Sequence, residues 1–154
     1  MKDQERKGDP MSKTIISTAI GLTALSLCAA QADEVWSSEI GEIIYETDLA
    51  NGMAVLSYPT DGDVRGLAYV AGLAGEYEGR TGYEGVWMEP ASVAGGCDVE
   101  IAAPETGEIS NNWGRVKVIF VDPDFPSTFI ALRGDCFDEP DAMLVARPIT
   151  ALGD

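Results

Sequence analysis

The chain predicts an all-β fold: an antiparallel meander of short strands that closes into a small barrel or a barrel-like sandwich. Three observations carry that expectation. Downstream of residue 32 there is no long apolar pattern at the helical period of about 3.6 residues. Gly and Pro recur at intervals of about ten residues, a spacing that suits short strands and turns. Between them, apolar and polar residues alternate. Over 113–121, Val116, Val118 and Phe120 share one face while Arg115 and Lys117 take the other.

Residues 1–10 are charged and patternless and read as a disordered extension, with Met11 as an alternative start. Residues 11–32 read as a helical signal peptide. Lys13 precedes an uncharged run over 15–30, and Ala30-Gln31-Ala32 ends it with small residues at the cleavage positions. A membrane anchor fits less well, because Ser17, Thr18, Thr23, Ser26 and Gln31 dilute the run. A lipid-modified Cys28 fits less well too, because the large Leu27 precedes it. The expected product is a single β-rich domain over 33–154, periplasmic or secreted.

The strands follow in order. Residues 40–46 are the first, and Asn51-Gly52 is a strong hairpin signal after it. Residues 53–58 return, closed by the turn cluster Pro59-Thr60-Asp61-Gly62-Asp63. Residues 64–70, 73–78 and 81–89 come next, then a short strand over 97–101 and a polar loop over 104–112. After 113–121, Asp122-Pro123-Asp124 and Pro126 break the pattern. Residues 128–133 and 142–147 complete eight or nine strands. So many short antiparallel strands usually close on themselves to remove exposed edges.

The stretch 64–89 is weakly self-similar. Gly66 precedes Tyr69, Gly75 precedes Tyr77 and Gly85 precedes Trp87, each by two or three residues. In a tightly curved sheet a glycine permits the bend and a neighbouring aromatic covers the gap. With Trp36, Gly41 and Trp113-Gly114-Arg115, this pattern over 36–137 resembles small exported bacterial β-barrel domains of uncharacterised type, and is loosely similar to avidin-like and lipocalin-like barrels. The resemblance implies architecture and no defined activity.

Charge and cysteine content narrow the partners. Without residues 1–32, six of the ten basic and 23 of the 26 acidic residues remain, a net charge of −17. Nucleic acid needs Lys and Arg at its phosphates, and anionic lipid repels such a surface. The expectation is therefore no nucleic acid and no membrane insertion after cleavage. A cationic protein or a small apolar ligand remains. Cys28 leaves with the leader, and Cys97 and Cys136 then read as one disulfide, as an even pair in an exported chain does. A two-cysteine metal site would need histidine partners, and the chain has no histidine.

The absence of histidine also removes Ser-His-Asp and Cys-His nucleophile systems. There is no phosphate-cradling Gly-rich loop before a Lys-Ser/Thr pair and no Cys-x-x-Cys. Asp61-Gly62-Asp63 and Asp122-Pro123-Asp124 lack the ligand spacing of a calcium loop, so no metal, cofactor or catalytic residue is assigned. Three functional expectations remain. The first is a binding or interaction module, in its sharpest form an inhibitor of a cationic hydrolase such as lysozyme. The second is a carrier of a small apolar ligand, with Tyr69, Tyr77, Trp87 and Trp113 as the lining. The third is a carboxylate-based hydrolase drawing a pair from Glu76, Glu78, Glu84, Glu89 and Glu100. Arg147 is expected either to stack over Trp36 at a barrel end or to stand as a solvated arginine.

Overall fold

The computed structural model describes residues 34–75, 82–92 and 96–149. The expected extension, leader and Tyr77 lie outside these residues, as does the half of the strand expected over 73–78 that follows Gly75; residues 73–75 form a turn and bend rather than a strand, with Gly72 and Gly75 at positive φ. Ten strands run in chain order: β1 Val35–Ser38, β2 Gly41–Asp48, β3 Met53–Tyr58, β4 Gly66–Ala71, β5 Gly82–Met88, β6 Ile101–Ala102, β7 Ile109–Ser110, β8 Trp113–Phe120, β9 Phe129–Asp135 and β10 Ala142–Pro148. Eight of them form a closed antiparallel barrel, β1-β2-β3-β4-β5-β8-β9-β10, with β10 returning to β1. The expected meander is therefore a barrel. β6 and β7 form a separate two-stranded hairpin inserted between β5 and β8.

Closure depends on β1, which the strand pattern did not mark. Trp36 sits opposite Ile43 on one side and Pro148 on the other, so one short strand seals both edges. The Ile149 amide donates to the Val35 carbonyl at 2.7 Å and extends the seam. In β2 the register shifts between Tyr45 and Thr47 against β3, a bulge that tightens the wall's twist.

Alternation places one face of each strand inside. Ile43, Leu56, Val70, Val118, Phe120 and Phe129 belong to this inner core. A second cluster lies on the outer wall, where Val55, Tyr69, Met88, Trp113 and Ala103 pack together beside Ile101 of β6. Thus β3 is covered on both faces. Its sequence MAVLSY reads as a near-continuous apolar run for that reason.

Two glycines, Gly66 on β4 and Gly114 on β8, each face an aromatic ring on the adjacent strand rather than the aromatic that follows them in the chain. Gly66 is the register partner of Tyr58, and Gly114 that of Trp87. A Cβ at Gly66 would stand 2.3 Å from the Tyr58 ring, and one at Gly114 would stand 2.0 Å from the Gly134 carbonyl oxygen and 2.6 Å from Trp87 Nε1. Each aromatic ring occupies the space its partner glycine leaves. Gly114→Ala is accordingly expected to cost about 3 kcal/mol or more, because backbone would have to move. Urea unfolding of that variant measures it.

The disulfide Cys97–Cys136 is present, with Cα atoms 5.7 Å apart. It ties the segment before β6 to the β9–β10 turn, so the inserted hairpin is fastened to the barrel covalently.

Candidate functional site

The two barrel ends differ. At one end the β8–β9 loop folds inward and sets Phe125 among the core rings. Trp36 meets Phe125 at 5.8 Å and Phe129 at 5.4 Å, both edge-on, and Phe125 also meets Tyr45 at 6.0 Å and Phe120 at 5.9 Å. The Trp36 indole N–H donates to the Ser127 carbonyl at 2.8 Å. This aromatic plug closes the end where the chain enters the barrel.

The opposite end is open. The turns β1–β2, β3–β4 and β9–β10 surround it, together with the excursion between β5 and β8. An apolar cavity of about 220 Å³ runs in from there, with Leu56, Ala68, Val116, Val118, Phe129 and Ala131 deep in it and Ile40, Met143 and Glu39 at the rim.

The polar side of the mouth is one connected cluster. Arg133 lies flat over the Trp87 ring, 3.4 Å from its centroid, and 5.7 Å from that of Tyr58. Its Nη2 pairs with Glu89 Oε1 at 2.9 Å. The Tyr58 hydroxyl donates to the same oxygen at 3.2 Å, and Asn112 Nδ2 donates to Glu89 Oε2 at 3.3 Å. The Trp87 indole in turn donates to the Gly134 carbonyl at 2.9 Å. Glu89 is thus held by three donors from three segments. Burial pushes the Tyr58 phenol well above its ordinary pKa; the Arg133 charge opposes this and Glu89 adds to it.

Of the aromatics expected to line a cavity, Trp87 does so. Tyr69 and Trp113 face the other way, into the outer cluster, because they are offset by one residue from the inward-facing Ala68 and Gly114. Trp113 there serves the excursion: its indole donates to the Val99 carbonyl at 2.7 Å, and its ring meets Phe137 edge-on at 4.9 Å. Arg147 lies on the outer wall in register with Ser37, whereas Trp36 is fully buried, so the expected stacking of the two does not occur. Arg133 is the cation that stacks. Glu89, one of the acids considered for a carboxylate pair, instead anchors this cluster, and Arg133 is the site residue that strand patterning passed over. The usable signal was the Tyr58–Gly66 and Trp87–Gly114 pairing, which marks where rings cross the barrel.

Tyr69 lines a second, smaller cleft between β4 and the inserted hairpin. Its hydroxyl is buried and has no hydrogen-bond partner among the described residues. Burial, with the charges of Glu105 and Glu108, pushes its pKa up to about 12. Tyr45 is raised as well, by burial first and then by its hydrogen bond to Asp48. A phenol whose folded pKa lies above its unfolded value of about 10 binds more protons folded than unfolded above that pH. Its stabilising contribution is complete below pH 10 and is lost as pH rises toward the folded value. Stability is therefore expected to fall steeply between about pH 10 and 12, and urea midpoints across that window check it.

No protein family, no curated protein and no solved structure matches this chain. The site's own chemistry has to carry the functional reading.

Proposed function

We propose that the chain is a non-catalytic binding barrel of an exported, periplasmic or secreted protein, and that it takes a small apolar group into the open end. One observation carries this reading: the barrel is plugged by rings at one end and left hollow at the other, with an apolar cavity of about 220 Å³. An engineered apolar cavity of about 150 Å³ takes benzene, so a ring-sized guest is of the right scale. Two further features support the setting. The disulfide suits an oxidising compartment. The barrel's outer wall carries the exposed charges Glu42, Glu46, Glu84, Lys117 and Arg147 beside the apolar cluster around Trp113, where a lipid-facing barrel has a continuous apolar band.

Ala131 sits in the cavity wall and is 9% exposed. Ala131→Leu fills that space with methyl groups. The expected result is loss of binding to small aromatic ligands, with a melting temperature equal to or above the wild type. Calorimetric titration with benzyl alcohol tests it, and undiminished binding would remove the cavity from the account.

A second reading is a docking site for a cationic protein, and a specific feature favours it. Ile40, Val64, Phe137 and Met143 are 45%, 60%, 69% and 63% exposed, all on turns or strand starts around the open end. Asp61, Asp63, Asp138 and Asp141 lie in the same loops. An apolar centre with a charged rim is common interface anatomy. Inhibition of a basic hydrolase such as lysozyme, stronger at low salt, would support it; a flat dose response at low salt would end it.

A further inference from the structure

We infer that the guest of the open end is an apolar body carrying a positive charge, such as an aryl-alkylammonium, with Glu39 and the β9–β10 turn selecting the sign of the charge. This rests on the reading that the cavity is the working site, and it names the class of ligand.

The cavity lining contains one cation and one anion, Arg133 and Glu39. At first sight Arg133 favours a carboxylate guest. The geometry points the other way. Arg133 is already neutralised by Glu89 at 2.9 Å and pressed face-on against Trp87 at 3.4 Å. A guest carboxylate would have to displace Glu89. That would strand Glu89, whose side chain is 19% exposed, beside the Tyr58 hydroxyl.

Glu39 has no such partner among the described residues and stands at the rim in the β1–β2 turn. On the far side, a groove shares Arg133 and Ala142 with the cavity and carries Asp135, Asp138 and Asp141. These three have no ion-pair partner among the described residues either, whereas Glu139 in the same turn reaches Arg115 at 3.6 Å. Arg147 shares the outer groove with Glu39 but sits beyond Val145 on the exterior wall. Arg65, in the β3–β4 turn, commits its donors to Ser57 and the Glu42 carbonyl. Counted with it, Asp61, Asp63 and the carboxylates above still leave the charges around the mouth net negative, and an ammonium there needs to displace nothing. The apolar depth holds the ring and the rim holds the charge.

The test is a matched set of probes: benzylammonium, benzyl alcohol and phenylacetate, titrated at neutral pH while the indole N–H resonances are followed. Trp87 lines the cavity and should move, and Trp36, in the plug, is the internal reference. The expected order is benzylammonium tightest, by about fivefold over the alcohol, with phenylacetate weakest. The preference should shrink in 1 M NaCl, where the Debye length is about 3 Å. With Glu39→Gln and Asp141→Asn combined, the ammonium-to-alcohol ratio should fall toward one. If benzyl alcohol binds but the ammonium gains nothing, or phenylacetate binds best, the charge inference is overturned and the cavity reading stands. If none of the three binds to wild type, and Ala131→Leu behaves identically, the cavity reading fails and takes this inference with it.

Discussion

Replacing Cys97 and Cys136 together by serine is expected to lower the unfolding free energy by about 4 kcal/mol. The bond closes a loop with a sequence separation of 39 residues. In the chain-entropy account, that closure removes conformations from the unfolded chain rather than adding contacts to the folded one. For a barrel of this size the melting temperature should fall by roughly 15 °C. The loss should also be uneven. Cys97 leads into β6 and Cys136 sits in the β9–β10 turn, so the inserted hairpin has the disulfide as its covalent tie to the barrel. What remains includes the Trp113–Val99 and Ser110–Glu89 hydrogen bonds and the outer cluster. Amide exchange should therefore quicken first over 97–110 and only later in β3 and β8. Cys136 also adopts a positive φ of 52°, a conformation an L residue enters at a cost. Cys136→Gly with Cys97→Ser should thus lose less than the double serine variant. Uniform exchange across barrel and hairpin would contradict this division of labour. Free thiols at both positions in protein from its native compartment would overturn the oxidised state itself.

The strands of the barrel were largely legible because the wall obeys a two-residue period wherever one face meets water. The segment 113–120 is the clearest case, alternating between the interior and Arg115 or Lys117. Legibility failed where that premise fails. In β3 both faces are covered, so the pattern marks a strand without saying which residues point inward. Tyr69 and Trp113 were expected inside for the same reason. An aromatic on a strand with an outer cover has two apolar destinations, and only the covering hairpin decides between them. That hairpin has strands of two residues each, too short to show a period. β1 was missed because four residues, Val-Trp-Ser-Ser, carry no alternation of their own. Its role comes from its two neighbours. The mouth cluster was hidden by sequence distance: Tyr58, Glu89 and Arg133 lie on three separate segments and meet only when the barrel closes.

Trp36→Ala is expected to be the most damaging single substitution, at about 4–5 kcal/mol, and to lower or abolish folded yield. Trp36 is fully buried. Its removal takes away the ring that Phe125 and Phe129 meet edge-on, and leaves the Ser127 carbonyl without its 2.8 Å donor. It also weakens closure, because Trp36 sits in the short strand that joins β2 to β10. Trp36→Phe separates these effects. It retains most of the ring volume and loses the hydrogen bond, so the expected cost is about 1–3 kcal/mol. Folding should survive, and the cavity at the other end should bind benzyl alcohol as before. The reciprocal experiment is Arg133→Met, which leaves Glu89 with Tyr58 and Asn112 alone. With both groups partly exposed, the expected cost is about 1–2 kcal/mol, well below that of Trp36→Ala. Its effect should be read in the ligand preference: without Arg133 the mouth becomes more negative, and benzylammonium should gain over benzyl alcohol. Stability concentrated at the plugged end and selectivity at the open one is what a barrel hollow at a single end requires. Equal losses of stability from Trp36→Ala and Arg133→Met would show instead that both ends serve the fold, and would leave the mouth cluster no separate role in recognition.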